Sequence, residues 1–390
     1  MSALPLPNSG RIRFGPFFPN AAAAQRVCKD VLRPAWCLPV ARGGAEGPRE
    51  SALKAYIGHK VPIGPGAAGN VVCELQWDLR ALGYHHSGID GSWGNKTSAA
   101  VKALRLDLTH PSGPPLIRAF NKGQIGAMPS AGPASVEPAL ANCIAELTDA
   151  SGIPKLPSSS DPRAENREVW EAFRGIRNGV APTPFLAAMF QQESGGRHFR
   201  IPSGADGDSF VIVGLDRNDK GLPDRITSRG YGLGQFTIEH HPPSPAEIRT
   251  FILNPASNVQ TAFTELRKKF DRFVLSSDPA RRADDRIAER PLLSLRSCKY
   301  PATDTRYLAD CRNCAAAARK VDRKRGDPLY RGSSATFQPT QYYADILYRG
   351  VPDRAEFGCD WPYAVRRYNG SGVNSFHYQS RVLLNLLNLT

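Results

Sequence analysis

Residues 182–196 read Pro-Thr-Pro-Phe-Leu-Ala-Ala-Met-Phe-Gln-Gln-Glu-Ser-Gly-Gly. Proline suits the first turn of a helix, where its missing N–H is not needed. Phe185, Leu186, Met189 and Phe190 recur at three- and four-residue spacing and make one apolar face. Gly195-Gly196 supplies a left-handed cap. The spacing predicts a helix that is buried along one side and stops abruptly, with Glu193 in its last turn. A carboxyl group there sits at the negative end of the helix dipole, one turn beyond Met189 and Phe190. Dipole and desolvation both raise a carboxyl pKa, which is the pattern of a general acid working near neutral pH. The plainer reading of the same residues is a surface glutamate near a helix end.

Two later segments bear on that choice. Gly230-Tyr-Gly-Leu-Gly-Gln-Phe236 alternates glycine with an aromatic residue and an amide. Glycine lets a backbone approach a ligand closely, and Tyr231 and Gln235 can stack on or hydrogen-bond a sugar. Tyr363-Ala-Val-Arg-Arg-Tyr-Asn-Gly370 ends another helix. In this order the three segments resemble the lytic transglycosylases of goose-type lysozyme-like fold. The family pattern is Glu-Ser, then Gly-Leu-x-Gln, then Ala-x-x-x-Tyr-Asn. Here it reads Glu193-Ser194, Gly232-Leu233-Gly234-Gln235 and Ala364-Val-Arg-Arg-Tyr368-Asn369. Asn254-Pro-Ala-Ser-Asn-Val resembles the family's helix start before the last motif, and Tyr378-Gln-Ser-Arg-Val-Leu its final helix.

The resemblance implies cleavage of the β-1,4 bond between MurNAc and GlcNAc. Glu193 would protonate the leaving oxygen and then, ionised, take the proton from the MurNAc C6 hydroxyl. That hydroxyl would attack C1 and leave a 1,6-anhydro end. Tyr368 would orient Glu193. Gln235 and Asn369 would hold N-acetyl or hydroxyl groups, and Ser194 and Tyr231 would complete the sugar contacts. If Asp206, Asp208 or Asp216 instead positions a water as second carboxylate, the enzyme is a hydrolytic muramidase. A non-catalytic wall-binding protein is the remaining alternative.

A second pattern stands nearer the start. Leu75, Leu79 and Leu82 make a helix face that Gly83 ends, Asp90-Gly91 makes a turn, and Thr97 can cap a helix carrying Ala100, Val101 and Leu104. Val71–Tyr84 followed by Ile89–Val101 is similar to the three-helix peptidoglycan-binding module, whose pattern is L-Q-x-x-L-x-x-L-G-Y, then I-D-G-x-x-G-x-x-T-x-x-A-V. Asp90, Trp93 and Thr97 stand at its motif positions. The usual F-Q after Ala-Val is Ala103-Leu104 here, which weakens the implied glycan contact.

The expected fold is mainly α: a three-helix peptidoglycan-binding module and an α+β lysozyme-like catalytic domain with insertions. Residues 1–60 read as an N-terminal arm and 61–125 as the module. Residues 126–164 are a proline-rich linker around one short helix, and 165–390 are the catalytic domain. The first insertion, 203–224, contains a short strand near Val211–Leu215. Its Asp216, Asn218 and Asp224 echo the start of a calcium loop, but Lys220 stands where a ligand belongs. No cofactor is required by the implied chemistry; calcium would be structural. His240-His241 beside two prolines reads as a loop. The basic run Arg319–Arg325 reads as a solvated helix face.

With 50 basic and 36 acidic residues the net charge is +14, which favours an anionic polymer. Peptidoglycan, with its peptide carboxylates, qualifies; no nucleic-acid reader motif is present. Met1–Asn8 shows no export signal, and no run approaches the about 20 apolar residues of a membrane span. Synthesis in the cytoplasm and action in the periplasm or wall of a target cell then require a specialised route. A secretion-system effector with an immunity partner, or a phage lysin, would meet that need. Eight cysteines suit disulfides in an oxidising compartment. Cys28 with Cys37, and Cys298 with Cys311 or Cys314, are the natural pairs. Zinc held by Cys298, Cys311, Cys314 and Cys359 is one alternative, and reduced buried thiols are another.

Overall fold

The computed structural model describes residues 17–18, 62–126, 134–174, 176–203, 206–276, 295–324, 347–370 and 374–389. They fall into two compact units. The first runs to Arg167 and resumes over His198–Pro255; the second comprises Glu168–Arg197 and Ala256 onward. Helices dominate the described residues, and the sheets are small and antiparallel.

In the first unit, β1 (Phe17–Phe18) pairs with β2 (Ala68–Gly69). Helices α1 (Asn70–Ala81), α2 (Asn95–Thr109), α3 (Pro115–Arg118) and α4 (Pro138–Asp149) follow. Gly83, at φ 80°, turns the chain back after α1, so that Tyr84 N–H donates to the Leu79 carbonyl at 2.8 Å. Val71, Leu75 and Leu79 of α1, Val101, Leu104 and Leu108 of α2, and Leu140, Ile144 and Leu147 of α4 share one core cluster. Each side chain so buried contributes on the order of 2 kcal/mol. The stretch expected as a linker therefore supplies a core helix. Leu140, Ile144 and Leu147 recur at helical spacing, and that apolar face draws α4 in.

The other side of α1 carries Trp77 and Ala81 into a second cluster with Phe199, Phe210, Val211, Val213 and Tyr231. Here β3 (Val213–Asp216), β4 (Ser228–Tyr231) and β5 (Phe236–Ile238) form a sheet in that order. The short strand expected in the 203–224 insertion thus exists and pairs with β4, Gly214 opposite Gly230.

His85 is almost fully buried, and desolvation pushes its pKa down to about 4. Between pH 6.5 and 4 the unfolded chain binds a proton at His85 that the folded chain does not. Stability is therefore expected to fall as pH drops through that window, by roughly 3 kcal/mol for this group. His241, half-buried and packed edge-on against Tyr84 at 5.0 Å, is held well below its ordinary value by desolvation and adds to the same trend. Thermal denaturation at pH 7.5 and pH 4.5 checks this; an unchanged or higher melting temperature at pH 4.5 contradicts it. His240 meets Glu247 at 2.9 Å beside a helix start, as a loop residue would.

In the second unit, α5 (Pro162–Arg174) contributes its C-terminal half. With it stand α6 (Thr183–Ser194), α7 (Pro255–Phe273), α8 (Cys311–Ala317), α9 (Trp361–Tyr368) and α10 (Asn374–Leu387). Phe173 packs on Phe190 and Phe263, with ring centroids 5.1 and 5.8 Å apart, and Phe270 stacks on Trp361 at 4.2 Å. Asn385 of α10 donates to the Ala188 carbonyl of α6 at 3.2 Å. The basic run is not a helix. Lys320–Lys324 is β6, paired with β7 (Leu347–Pro352), and Arg319 and Arg323 both meet Asp353, at 2.9 and 3.3 Å. Strand pairing through Val321 and Val351 decides the geometry.

Cys73 is disulfide-bonded, and Cys143, Cys298, Cys311, Cys314 and Cys359 are free thiols. Cys28 and Cys37 lie outside the described residues. Among the described residues no helix is long and apolar enough to cross a membrane.

Candidate functional site

Helix α6 ends as its sequence dictates. Gly195 adopts φ 64°, ψ 28°, and its N–H, the Gly196 N–H and the Ser194 hydroxyl all donate to the Phe190 carbonyl. Gly196 has a second reason to be glycine: a Cβ there would lie 2.6 Å from the Gln191 amide. Ser194 thus helps close the helix end.

Glu193 is half-buried in this last turn. Two tyrosines of the second unit sense its carboxylate. Tyr368, the last residue of α9, has its pKa pushed up by burial first and by the Glu193 charge second, with a smaller effect of Glu265. Tyr378 of α10 is raised by the same two causes in the same order. Its phenol is buried and faces the Glu193 carboxyl. The structure so brings together Glu193 and Tyr368, and adds Tyr378, which motif reading placed only in a closing helix. The signal for it was a polar-tipped aromatic on the buried face of α10, among Phe376, Val382 and Leu383. Asn369 caps α9 and is exposed. Both phenols lie close enough to the Glu193 carboxyl for its charge to raise their pKa values, which puts protonated hydroxyls beside a group suited to proton transfer.

Gln235 and Tyr231 belong to the first unit. Gln235 sits at φ 50° and donates its amide to the Gly232 carbonyl at 2.7 Å. Its Oε1 occupies space that a Cβ on Gly214 or Gly230 would enter, at 2.5 and 3.0 Å. The glycines opposite each other in the β3–β4 pair make room for this amide. Tyr231 is a fully buried core residue, its pKa pushed up to about 12, chiefly by burial. Its ring packs inside the sheet cluster, away from the surface a sugar would touch.

The acids of the 203–224 insertion have structural partners. Asp208 is fully buried and takes hydrogen bonds from Arg80 Nε at 3.0 Å and the Phe210 N–H at 2.9 Å, with Arg200 Nε 2.9 Å away. Asp206 accepts from the Ile89 and Asp208 N–H groups and from Arg200. Gly88 is glycine because a Cβ there would lie 2.4 Å from the Asp206 carboxylate. Asp216 accepts from Ser228 at 2.7 Å at the sheet edge. Asp219, not part of the expected calcium set, orders the turn by accepting from Gly221 and Leu222. Exposed Asn218 donates its N–H to Thr227, and Asp224 is half-buried. Among the described residues no group of three or more His, Cys, Asp or Glu side chains is placed to hold a metal ion.

Two of the three module residues, Asp90 and Thr97, converge on Gln76, which stands at the Gln of the module's L-Q pattern but was not singled out as a site residue. Gln76 Nε2 donates to Asp90 Oδ1 at 2.9 Å, the Ser92 carbonyl at 3.0 Å and Thr97 Oγ1 at 3.2 Å. Its Oε1 accepts from the Asp90 and Gly91 N–H groups, each at 2.9 Å. Trp93 is buried and donates to Ser98 at 2.8 Å. The Asp-Gly turn is thus built around one buried amide. Residues 68–105 match the family model of the putative peptidoglycan binding domain. Comparison with curated proteins and with solved structures gives no match.

The hub makes the module brittle. Gln76→Ala leaves two N–H groups and one carbonyl of a buried turn without partners, and is expected to destabilise the module by about 3 kcal/mol. Urea unfolding of the variant checks this; a shift under about 1 kcal/mol would show that the turn holds without the amide.

Proposed function

We propose that the chain binds peptidoglycan through residues 68–105 and cuts its glycan strands at the MurNAc–GlcNAc bond, with Glu193 as the single acid/base group. The observation that carries the catalytic part is the placement of Glu193 at a left-handed helix cap, half-buried, facing Tyr368 and Tyr378. Protonated Glu193 gives its proton to the leaving oxygen. The carboxylate then takes the proton of the MurNAc C6 hydroxyl as that oxygen bonds to C1, so no water is consumed. The two phenols stand beside the carboxyl and help to position it. Asn369, exposed beside Tyr368, is suited to a sugar hydroxyl or N-acetyl group. The 1,6-anhydro outcome is favoured over hydrolysis because Asp206 and Asp208 are engaged by arginines and backbone N–H groups, which leaves them poorly suited to activate water.

The net charge of +14 supports attraction to a polymer with peptide carboxylates. Action in the wall of a target cell, after delivery as an antibacterial effector or a phage lysin, fits this chemistry. Purified sacculi incubated with the protein test the reading. Binding with release of soluble fragments is expected from wild type, and binding without release from Glu193→Gln. Binding without release by wild type would leave a wall-binding protein and remove the enzyme.

A further inference from the structure

Four of the free cysteines lie on three chain segments that are tied together by bonds not involving sulfur. The Arg296 N–H donates to the Asp360 carboxylate at 2.8 Å, and the Asp360 N–H returns a bond to the Arg296 carbonyl at 3.0 Å. Trp361 Nε1 donates to the Ser297 carbonyl at 2.8 Å. Gly358 passes so close to Lys299 that a Cβ on it would lie 2.8 Å from the lysine Cβ. These contacts fix Cys298 and Cys359 on neighbouring strands of chain. The Leu308 N–H meets Cys298 Sγ at 3.5 Å, and the Tyr300 hydroxyl donates to Asp310 at 2.6 Å. Both contacts carry the Cys298 segment to the start of α8, where Cys311 and Cys314 share one turn.

Depth sorts the four. Cys311 and Cys359 are buried, whereas Cys298 and Cys314 are half-exposed. We propose that this cluster is a double disulfide site in the mature protein, Cys311 bonded to Cys359 and Cys298 to Cys314. Each bond removes two thiol protons and two electrons. The electrons reduce the disulfide of an exchange oxidant of the oxidised-glutathione or dithiol-oxidase class, which leaves as two thiols. Burial, together with the nearby sulfurs, pushes the Cys311 thiol well above its ordinary value, and Cys359 is likewise raised. Buried protonated thiols exchange slowly, so the inner bond forms while the segments assemble. Burial raises the Cys314 thiol and Lys299 beside it opposes that pull; the half-exposed pair, Cys298 and Cys314, is where an oxidant arrives first. The inner bond fixes Cys359, two residues ahead of α9, to the first residue of α8 across a wide interval of sequence. Closing a loop of that size, and holding the start of the helix whose far end is Tyr368, raises thermal stability. The proposal stands apart from the catalytic reading, since it needs neither substrate nor activity.

The test uses the full chain, refolded with oxidised and reduced glutathione. Non-reducing proteolysis and mass spectrometry should find the two linkages, and reduction of the wild type should lower its melting temperature by about 10 °C. Cys311→Ser and Cys359→Ser, singly and together, should lose the share of that shift that the inner bond contributes and keep what the Cys298–Cys314 bond and the Cys73 disulfide give. Serine in a buried site can destabilise by itself, so the linkages mapped in the wild type carry the decision. Four alkylatable thiols after oxidation, a local Cys311–Cys314 bond, or one equivalent of tightly bound zinc with the thiols protected would each overturn the assignment.

Discussion

Glu193→Gln is expected to lower glycan-strand cleavage by at least about 10³-fold while leaving binding to sacculi unchanged. The reasoning is chemical. Glutamine keeps the shape of the side chain but can neither donate a proton to the leaving oxygen nor accept one from the C6 hydroxyl, and such transfers are worth roughly 10² to 10⁴-fold each. The fold should tolerate the change, because Ser194, Gly195 and Gly196 hold the α6 terminus on the Phe190 carbonyl. Tyr378→Phe should act through the same carboxyl. Losing a donor to a charged group corresponds to about 10- to 100-fold in rate. Release of soluble fragments, measured beside a melting curve for each variant, separates lost chemistry from lost structure. If Glu193→Gln cleaves at the wild-type rate, the assignment of Glu193 fails.

The largest expected effect on stability lies in the first unit. Asp208→Ala should destabilise it by roughly 3 to 5 kcal/mol, because it strands a buried cation. Arg80 is fully buried, and among the described residues it donates, beyond Asp208, to the His85 and Val211 carbonyls, at 3.0 and 2.9 Å. Burial pulls the Arg80 pKa down and the Asp208 pKa up, and each partner's charge opposes that pull. The pair is therefore held ionised by mutual attraction, and removing one member exposes the full desolvation of the other. Asp208→Leu combined with Arg80→Met should lose much less than Asp208→Ala alone, since no uncompensated charge remains. Urea denaturation gives both numbers. An Asp208→Ala loss below about 1 kcal/mol would mean that Arg80 finds water or another partner, and the ion pair would then not be what holds α1 to the 206–211 segment.

These two sites show why sequence reading succeeds in one place and stops in another. The helix over 183–194 was legible because its signals are local: proline at the start, apolar residues at helical spacing, paired glycines at the end. The turn at Asp90-Gly91 was legible for the same reason. The partners of those residues were not, since they depend on packing between distant segments. Gln76 looks like any polar residue on a helix, yet it is nearly fully buried and organises the turn. Asp206 and Asp208 read as free acids near a calcium-like loop, but Arg80 and Arg200 engage them across long sequence separations. Prolines over 129–162 suggested a linker, and the apolar face of α4 overrides them. Tyr378 faces Glu193 only because α10 packs on α6, a relation that spacing along the chain does not encode.

If one carboxyl group, Glu193, cleaves the strand without water, the mass of the fragments released from purified sacculi shows it, because anhydro and hydrolytic products differ by one water per cut. Fragments ending in 1,6-anhydroMurNAc, absent with Glu193→Gln, are the predicted result. Fragments ending in reducing MurNAc, carrying the added water, would contradict the single-carboxylate mechanism.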